Sequence, residues 1–210
     1  MSLAAPEAIV SAFGQQLAMG TAVAKALPLP TELAGTSVRV DGVLAPLFFV
    51  SPQQINFLIP PLTGTGIAEV EITAADGTVP RSGLTVTTTA AAIFTANAQG
   101  NGVPTALVTN DGINHRSVGN PDGTPNLIRA GEFLILFGTG IRGVATDTVK
   151  VNIGGIDAPI LYAGKQMDFV GLDQINTQIP TGLSGEALAT LSINGRAANA
   201  VRLLIAAPGQ

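Results

Sequence analysis

The chain of 210 residues contains no cysteine, no tryptophan and a single histidine, His115. Without cysteine there can be no disulfide bond, no thiolate ligand for a metal ion and no cysteine nucleophile. A Ser-His-Asp triad would have to be built around His115, and the sequence has no Gly-x-Ser-x-Gly motif to supply its serine. Zinc sites made of several histidines are excluded by the same count. We therefore expect no catalytic residues, no bound metal and no cofactor.

Charged residues are scarce as well, at 11% of the chain against about 25% in an average soluble domain. The 14 acidic and 10 basic side chains give a net charge of −4, and no run of lysine or arginine could neutralise a row of phosphates. The acidic residues fall mostly in turns, and no two have a spacing that places a carboxylate pair for glycoside hydrolysis. The sequence argues against nucleic-acid binding and against a carboxylate-based enzyme.

Long apolar runs and a signal peptide are missing too. Hydrophobic residues make up 46% of the chain, yet no window approaches the ~18 uninterrupted apolar residues that a membrane helix needs. The first residues, Met1-Ser2-Leu3, lack the basic and apolar regions of a secretory signal peptide. We expect a large buried core and no membrane span.

The two halves of the chain repeat the same blocks in the same order. Residues 38–46 (Val-Arg-Val-Asp-Gly-Val-Leu-Ala-Pro) recur as residues 151–159 (Val-Asn-Ile-Gly-Gly-Ile-Asp-Ala-Pro). Residues 54–60, which begin Gln-Ile-Asn, recur as residues 174–180. Insertions fall between the matched blocks, where loops are expected, so the repeat predicts an internal duplication. The predicted tandem domains are residues 4–90 and 93–207.

Each block has the pattern of a β-strand or a tight turn. Ile55, Phe57 and Ile59 alternate with other residues at the period of a strand, so we expect them to face a core. Gln54 and Asn56 lie between them, and we expect their amides to point outward and bind adjacent loop backbone. Repeated short strands separated by turn signals predict an all-β chain. The expected architecture is two tandem immunoglobulin-like antiparallel β-sandwiches.

Turn residues follow the strands. Asp41-Gly42 and Gly154-Gly155 supply the residues that accept a positive φ in a two-residue hairpin. Asp76-Gly77 and Asn194-Gly195 likewise follow later segments that have the pattern of a strand. Each pair is therefore predicted to reverse the chain between paired strands.

One segment, Ala5–Ala26, favours a helix by composition. It is rich in alanine, and Ile9, Phe13 and Leu17 are spaced four residues apart. Its matching segment in the second half, residues 132–138, reads plainly as a strand. We therefore predict a strand around Phe13, with room for a helical turn between Leu17 and Ala26.

The second half carries an insert, residues 97–129, with no counterpart in the first half. Ala106–Thr109, a turn, and Ile113–His115 read as a hairpin that precedes the turn-rich stretch 120–125. The insert can be a structural brace, or it can present a recognition loop, since binding residues concentrate on loops. The candidate interaction residues are Asp111, Asn114, His115, Arg116, Asn120 and Asp122. With Asn110 they also offer oxygen ligands for calcium, although without the spacing of an EF-hand loop, and turn chemistry explains the same residues.

Three further motifs have structural explanations. The G-x-G-x-x-G spelling at Gly138–Gly143 follows a strand and precedes no helix, so it lacks the geometry of a phosphate loop. Lys150, which an isopeptide cross-link would require to be buried, is expected to be solvated. With one tyrosine, Tyr162, and eight phenylalanines assigned mostly to the core, the chain is poorly equipped for aromatic stacking on sugars.

The repeated blocks resemble the Solibacter-type C-terminal domain found at the ends of large acidobacterial proteins, whose halves look like the IPT/TIG branch of immunoglobulin-like folds. The matching residues are Phe13-Gly14, Leu33–Val38, Gly42, Ala45-Pro46, Ser51-Pro52 and Gln54–Phe57, with their echoes in the second half. The resemblance implies an extracytoplasmic accessory module, secreted or at the cell surface. It supplies no catalytic residues.

Together these observations predict a non-catalytic structural or interaction module of a larger secreted or cell-surface bacterial protein. Its expected partners are the other domains of that protein, and a protein or glycan ligand stays open. The alternative is an accessory ligand-binding module, for glycan, peptide or calcium, attached to an enzyme domain.

Overall fold

A computed structural model describes residues 2–74 and 76–209. The chain divides into two compact units, Met1–Ala90 and Ala91–Gln210. Apart from one turn of 3-10 helix at Thr146–Thr148, the regular structure of the described residues consists of strands. Each unit contains two sheets around its own hydrophobic core. The prediction of an all-β chain of sandwich type is confirmed.

The described residues of the first unit form ten strands. They are β1 (Leu3–Ala4), β2 (Ile9–Phe13), β3 (Ala22–Val23), β4 (Glu32–Leu33), β5 (Thr36–Val40), β6 (Val43–Leu44), β7 (Leu47–Val50), β8 (Gln54–Leu58), β9 (Gly66–Thr73) and β10 (Arg81–Val86). Sheet 1A has the order β1-β10-β9-β5-β4, with β6 paired to β5. Sheet 1B has the order β2-β8-β7-β3, so β2 is an edge strand.

In residues 91–209 the second unit has twelve strands. They are β11 (Ala92–Ile93), β12 (Ala106–Thr109), β13 (Arg116–Ser117), β14 (Leu127–Ile128), β15 (Phe133–Thr139), β16 (Val149–Ile153), β17 (Ile156–Ala158), β18 (Ile160–Lys165), β19 (Asp173–Gln178), β20 (Gly185–Ile193), β21 (Arg196–Ala197) and β22 (Val201–Ile205). Sheet 2A has the order β14-β22-β20-β16-β17, with β21 paired to β20. Sheet 2B has the order β13-β12-β15-β19-β18, with β11 paired to β15.

The alternating pattern of the strands places their apolar residues in the core. Ile55, Phe57 and Ile59 are buried, as predicted, and they pack with Val38 and Leu84 of sheet 1A. Burial of each such side chain contributes about 1.5–3 kcal/mol. The cores of both units are therefore built from the inward faces of two sheets.

The two units share part of their strand order and register: β1-β10-β9-β5 of sheet 1A matches β14-β22-β20-β16 of sheet 2A, and β2-β8-β7 of sheet 1B matches β15-β19-β18 of sheet 2B. Phe13 lies opposite Gln54 in sheet 1B, and Phe137 lies opposite Gln174 in sheet 2B. In both units the first strand of the A sheet pairs in parallel with the last, β1 with β10 and β14 with β22. The sandwiches are thus antiparallel except for this one pair in each. The common origin of the two units stays a prediction.

Three of the predicted turns have the backbone conformation that their residues indicate, and in one of them Asn194 and Gly195 have φ of +50° and +76°. Asp41 and Gly42 have φ of +48° and +78°, and Gly154 and Gly155 have φ of +59° and +89°. Two consecutive positive φ values are those of a type I′ turn, whose twist matches that of the flanking strands. These turns set the registers of β5 with β6 and of β16 with β17.

The helical turn for which the sequence leaves room between Leu17 and Ala26 does not form. Leu17 and Ala18 are buried in the first core, and the Leu17 N–H donates to the Pro52 carbonyl at 3.0 Å. The tertiary core holds this segment in an irregular path that ends in strand β3. In residues 2–74 and 76–209 we find no helix with the length and hydrophobicity of a membrane span.

The assignment of most phenylalanines to the core is also wrong. Of the eight, only Phe57 is buried. Phe13 and Phe169 expose 74% and 65% of their surface. Phe13 occupies an outward position of an edge strand, where the period of the strand turns its ring away from the core.

Candidate functional site

Five of the six candidate interaction residues lie in two loops of the second unit, and the sixth, Arg116, lies in β13. The first loop joins β12 to β13, and the second joins β13 to β14. β12 pairs with Arg116–Ser117, with Val108 opposite Arg116. The predicted return strand at Ile113–His115 is wrong, because Asp111 holds the intervening residues in a turn.

Asp111 organises the first loop. Its Oδ1 accepts hydrogen bonds from the N–H groups of Ile113 and Asn114 at 2.9 and 2.8 Å, and from the Thr109 hydroxyl at 3.0 Å. Its Oδ2 accepts from Asn114 Nδ2 at 2.6 Å. The backbone N–H of Asn114, followed by that of Ile113, holds the pKa of the Asp111 carboxyl well below its usual range. Both carboxylate oxygens of Asp111 therefore accept hydrogen bonds from residues of the turn itself.

His115 lies at the end of the same turn and is exposed, as predicted. Its Nδ1 is 3.1 Å from the Ile113 carbonyl oxygen. This contact suits the tautomer that carries a proton on Nδ1. The ring is held by local backbone.

Arg116 has a buried partner that the sequence analysis missed. Its Nη2 donates to Glu132 Oε1 at 2.5 Å, and Glu132 has only 1% of its side chain exposed. Asn110 Nδ2 donates to the same oxygen, and the Arg129 N–H donates to Glu132 Oε2 at 2.8 Å. Glu132 thus ties the first loop to the start of β15.

Asn120 and Asp122 form the second loop with Thr124. Asp122 Oδ1 accepts from the Thr124 N–H and hydroxyl at 2.9 and 2.6 Å, and these bonds, the hydroxyl first, lower the pKa of Asp122. Asn120 Nδ2 donates to Thr124 Oγ1 and to Asn126 Oδ1. This arrangement is a tight turn closed by its own side chains.

The hydrogen bonds therefore divide the six candidates into two separate turns. Asp111, Asn114 and His115 belong to the first, Arg116 joins the buried Glu132, and Asn120 and Asp122 belong to the second. Within the described ranges, no three His, Asp or Glu side chains are grouped as a metal ion would require.

A second buried ion pair was also missed by sequence reasoning. Asp173, fully buried at the start of β19, accepts from Arg142 Nε at 2.7 Å and from the Ile141 N–H at 2.8 Å. Arg142 Nη2 donates to the Leu172 carbonyl at 3.1 Å. The one available signal was an acidic residue directly before the Gln174-Ile175-Asn176 block, in a strand otherwise free of charge.

The repeated amides bind one another, which corrects the expectation that they bind loop backbone. Gln54 Nε2 donates to Asn56 Oδ1 at 2.7 Å, and Gln174 Nε2 donates to Asn176 Oδ1 at 3.0 Å. In the first unit the Ser11 hydroxyl also donates to Asn56 Oδ1. Residues two apart on a strand share a face, so each ladder stays on the outer side of its sheet.

Comparisons with known proteins are limited to low structural similarity. No protein-family model and no curated protein matches the sequence. The chain is similar to SGBP-B of a Bacteroides ovatus mixed-linkage glucan utilization locus, solved with a mixed-linkage heptasaccharide, at TM-score 0.41 and 11% identity over 97% of this chain and 43% of that one. It therefore spans less than half of that protein's length.

Two further similarities involve tandem domains. The I9–I11 tandem of titin is similar at TM-score 0.28 and 10% identity, over 97% of this chain and 62% of that chain. Domains 5–6 of the S-layer protein SbsC are similar at TM-score 0.28 and 10% identity, over 99% of this chain and 93% of that chain. Scores and identities this low carry no argument about function.

Proposed function

We propose that the chain is a non-catalytic structural and interaction module of a larger secreted or cell-surface bacterial protein. The immunoglobulin-like character of its units and its membership of the Solibacter-type C-terminal domains are part of the proposal and rest on the sequence blocks. The extracytoplasmic location rests on the same resemblance.

One observation carries the non-catalytic part. Asp111 of the candidate loop and the two buried carboxylates are occupied by donors of the fold: Asp111 by a turn, Glu132 by Arg116, and Asp173 by Arg142. A carboxylate that already accepts several charge-assisted or backbone hydrogen bonds is committed to holding structure. The insert then acts as a brace.

The brace function is supported by the core of the second unit. Val103, Val108, Val118 and Ile128, all from the insert, are buried in that core. β12 adds a strand to sheet 2B by pairing with β15. Removal of the insert would expose the apolar faces that these residues cover.

A calcium titration tests the proposal against ligand binding by the loops. The melting temperature of the full chain should stay constant on addition of calcium, whereas a ligand of the folded state raises it by mass action. The matched variants are Asp111→Asn and Asp147→Asn, the second in the exposed 3-10 turn. Stabilisation by calcium that is lost in Asp111→Asn and kept in Asp147→Asn would replace the brace by a calcium-binding loop.

The proposed location has its own test. Fractionation of the source cells, with an antibody against this chain, should place the parent protein outside the cytoplasmic membrane. A purely cytosolic signal would overturn that part of the proposal and leave the structural function standing.

A further inference from the structure

The first unit has an open groove between the edges of its two sheets, with a volume of about 510 Å³. β2 of sheet 1B forms one wall, and Arg81–Leu84 of β10 in sheet 1A form the other. Phe57, Val70 and Ile72 form the floor. A volume of this size lies within the range of about 300–1,000 Å³ that ligand pockets have.

Backbone groups line both walls of the groove. The Gly14 N–H donates to the Gln53 carbonyl, and hydrogen-bonding residues alternate along an antiparallel pair. The N–H and C=O groups of Ser11 and Phe13 therefore point away from β8 toward the open side. On β10, the Thr85 N–H donates to Ser2 on the side away from β9, so by the same alternation the Gly83 N–H faces the groove.

In the second unit the insert occupies the equivalent position. β12 pairs with β15, the counterpart of β2, with Leu107 opposite Ile135 and Ala106 opposite Leu136. The Phe137 N–H donates to the Thr105 carbonyl at 3.2 Å. On the other wall, the Arg202 N–H donates to the Gly102 carbonyl at 2.7 Å. Residues 102–109 thus bridge the two sheet edges whose counterparts line the groove of the first unit.

The burial of equivalent residues follows from this difference. Leu134 and Leu136 of β15 are 0% and 1% exposed, whereas their counterparts Val10 and Ala12 of β2 are only half-buried. The added strand β12 thus covers this part of the core in the second unit, whereas the equivalent residues of the first unit are only partly covered.

We propose that this groove binds an extended segment of a partner polypeptide, which adds a strand to sheet 1B in antiparallel pairing with residues 10–13 of β2. Strand addition to an exposed edge takes its affinity from main-chain hydrogen bonds and its specificity from pockets for alternate side chains. This proposal goes beyond the structural module function proposed above, because the chain could serve as a structural module whether or not a peptide binds in the groove.

The side chains of the groove indicate the chemistry of that segment. In the second unit a large residue of the sheet, Leu136, faces a small one of the added strand, Ala106. In the first unit the residue equivalent to Leu136 is the small Ala12. A complementary partner therefore carries a large apolar residue opposite Ala12 and a second apolar residue opposite Val10. Its intervening side chain lies on the outer face, where Phe13 is 74% exposed.

The edge carries none of the usual protection against strand addition. Free edges are commonly blocked by charged residues or proline, yet Ile9–Phe13 reads Ile-Val-Ser-Ala-Phe. Among the described residues, β2 pairs only with β8. An edge whose residues 10–13 carry neither charge nor proline, beside a groove of this size, is what a strand-accepting site requires.

The test uses the full chain and fluorescent peptides that copy residues 102–110. The peptide with Ala106→Leu should bind more tightly than the unaltered peptide. The peptide with Leu107→Pro should not bind, because proline removes the N–H at the position that pairs with the edge. Amide shifts of labelled protein should change at Ser11, Phe13 and Gly83.

A matched pair of protein variants completes the test. Ser11→Pro removes the outward N–H and leaves the bonds of Ala12 and Val10 to β8, and proline is tolerated on edge strands with this orientation. It should weaken binding by about tenfold or more, since a lost hydrogen bond is worth about that factor. Ser11→Ala loses the hydroxyl contact to Asn56 and keeps the N–H, so it should bind as the unaltered chain does.

Several results would overturn the proposal. These are equal binding by Ser11→Pro and Ser11→Ala, retained binding of the Leu107→Pro peptide, or shift changes that leave β2 and β10 untouched. Self-association through β2 without peptide binding, measured by sedimentation, would assign the edge to a second copy instead. If Ser11→Pro does not fold, the shift map and the two peptide variants decide.

Discussion

Arg142 and Asp173 form an ion pair inside the second unit, with Nε and Oδ1 2.7 Å apart and exposed side-chain fractions of 11% and 0%. Asp173 Oδ2 also accepts from the Ile141 N–H at 2.8 Å. The pair joins the end of β15 to the start of β19. A buried carboxylate with this many donors fixes the geometry of the turn that follows β15.

Loss of this carboxylate should destabilise the fold. Asp173→Ala leaves the Arg142 guanidinium without its buried partner, and breaking such a pair costs about 3–5 kcal/mol. Chemical denaturation of the full chain measures the change. Asp147→Ala, an exposed acid in the 3-10 turn, should change stability by less than about 0.5 kcal/mol. Similar effects in both variants would contradict the structural importance of the pair.

The core of the first unit can be probed with two isoleucines, one on β8 of sheet 1B and one on β9 of sheet 1A. Ile55 is 0% exposed and Ile67 is 74% exposed. Ile55→Ala should lower the free energy of unfolding by about 2–5 kcal/mol, because it removes buried methyl groups and leaves a cavity. Ile67→Ala should have little effect. If urea denaturation gives the two variants equal midpoints, the assigned register of β8 is wrong.

The Asp111 turn predicts a pH dependence. The folded-state pKa of Asp111 is lowered, so its contribution to stability is fully present above the unfolded pKa of about 3.9. That contribution is lost as the pH falls from there toward the folded pKa. The difference in melting temperature between the unaltered chain and Asp111→Asn should therefore shrink below about pH 4. A difference that stays constant between neutral and acidic pH would show that the carboxylate does not hold the turn.

Asn199 should anchor the start of the second unit. Its Oδ1 accepts from the Ile93 N–H at 2.8 Å, and its Nδ2 donates to the carbonyls of Ile93 and Gly100 at 2.9 Å. Asn199→Ala should lower stability by about 1–3 kcal/mol and speed hydrogen exchange at Ile93. The exposed Asn101 in the same segment provides the control, and an equal effect of Asn101→Ala would refute the anchor.

Local patterns in the sequence predicted the strands and turns well. Period-2 alternation placed Ile55 and Phe57 in the core, and Asp41-Gly42 gave the expected hairpin because few other residue pairs accept two positive φ values. These features depend on residues close together in the chain. Because the second half repeats the same blocks, the same patterns predicted its strands and turns.

Features that depend on distant partners were missed. The links of Arg116 to Glu132 and of Arg142 to Asp173 are set by sheet register, which the spacing of charges does not reveal. Asp111 was recognised as a turn former, yet the turn it holds is longer than predicted and moves the return strand to Arg116–Ser117. The groove of the first unit became visible only by comparison with the filled position in the second.

The parallel pairing of β1 with β10 has a mechanical consequence. In a parallel pair the N-terminal end of one strand and the C-terminal end of the other lie at opposite ends of the ladder. Traction on these two ends therefore acts along the strands, and the bonds from Thr85 to Ser2 and from Thr87 to Ala4 are loaded together in shear. In an antiparallel pair, force on the two chain ends at the same end of the ladder would break the hydrogen bonds one after another. Extension of the first unit along this pair therefore requires both bonds to break together.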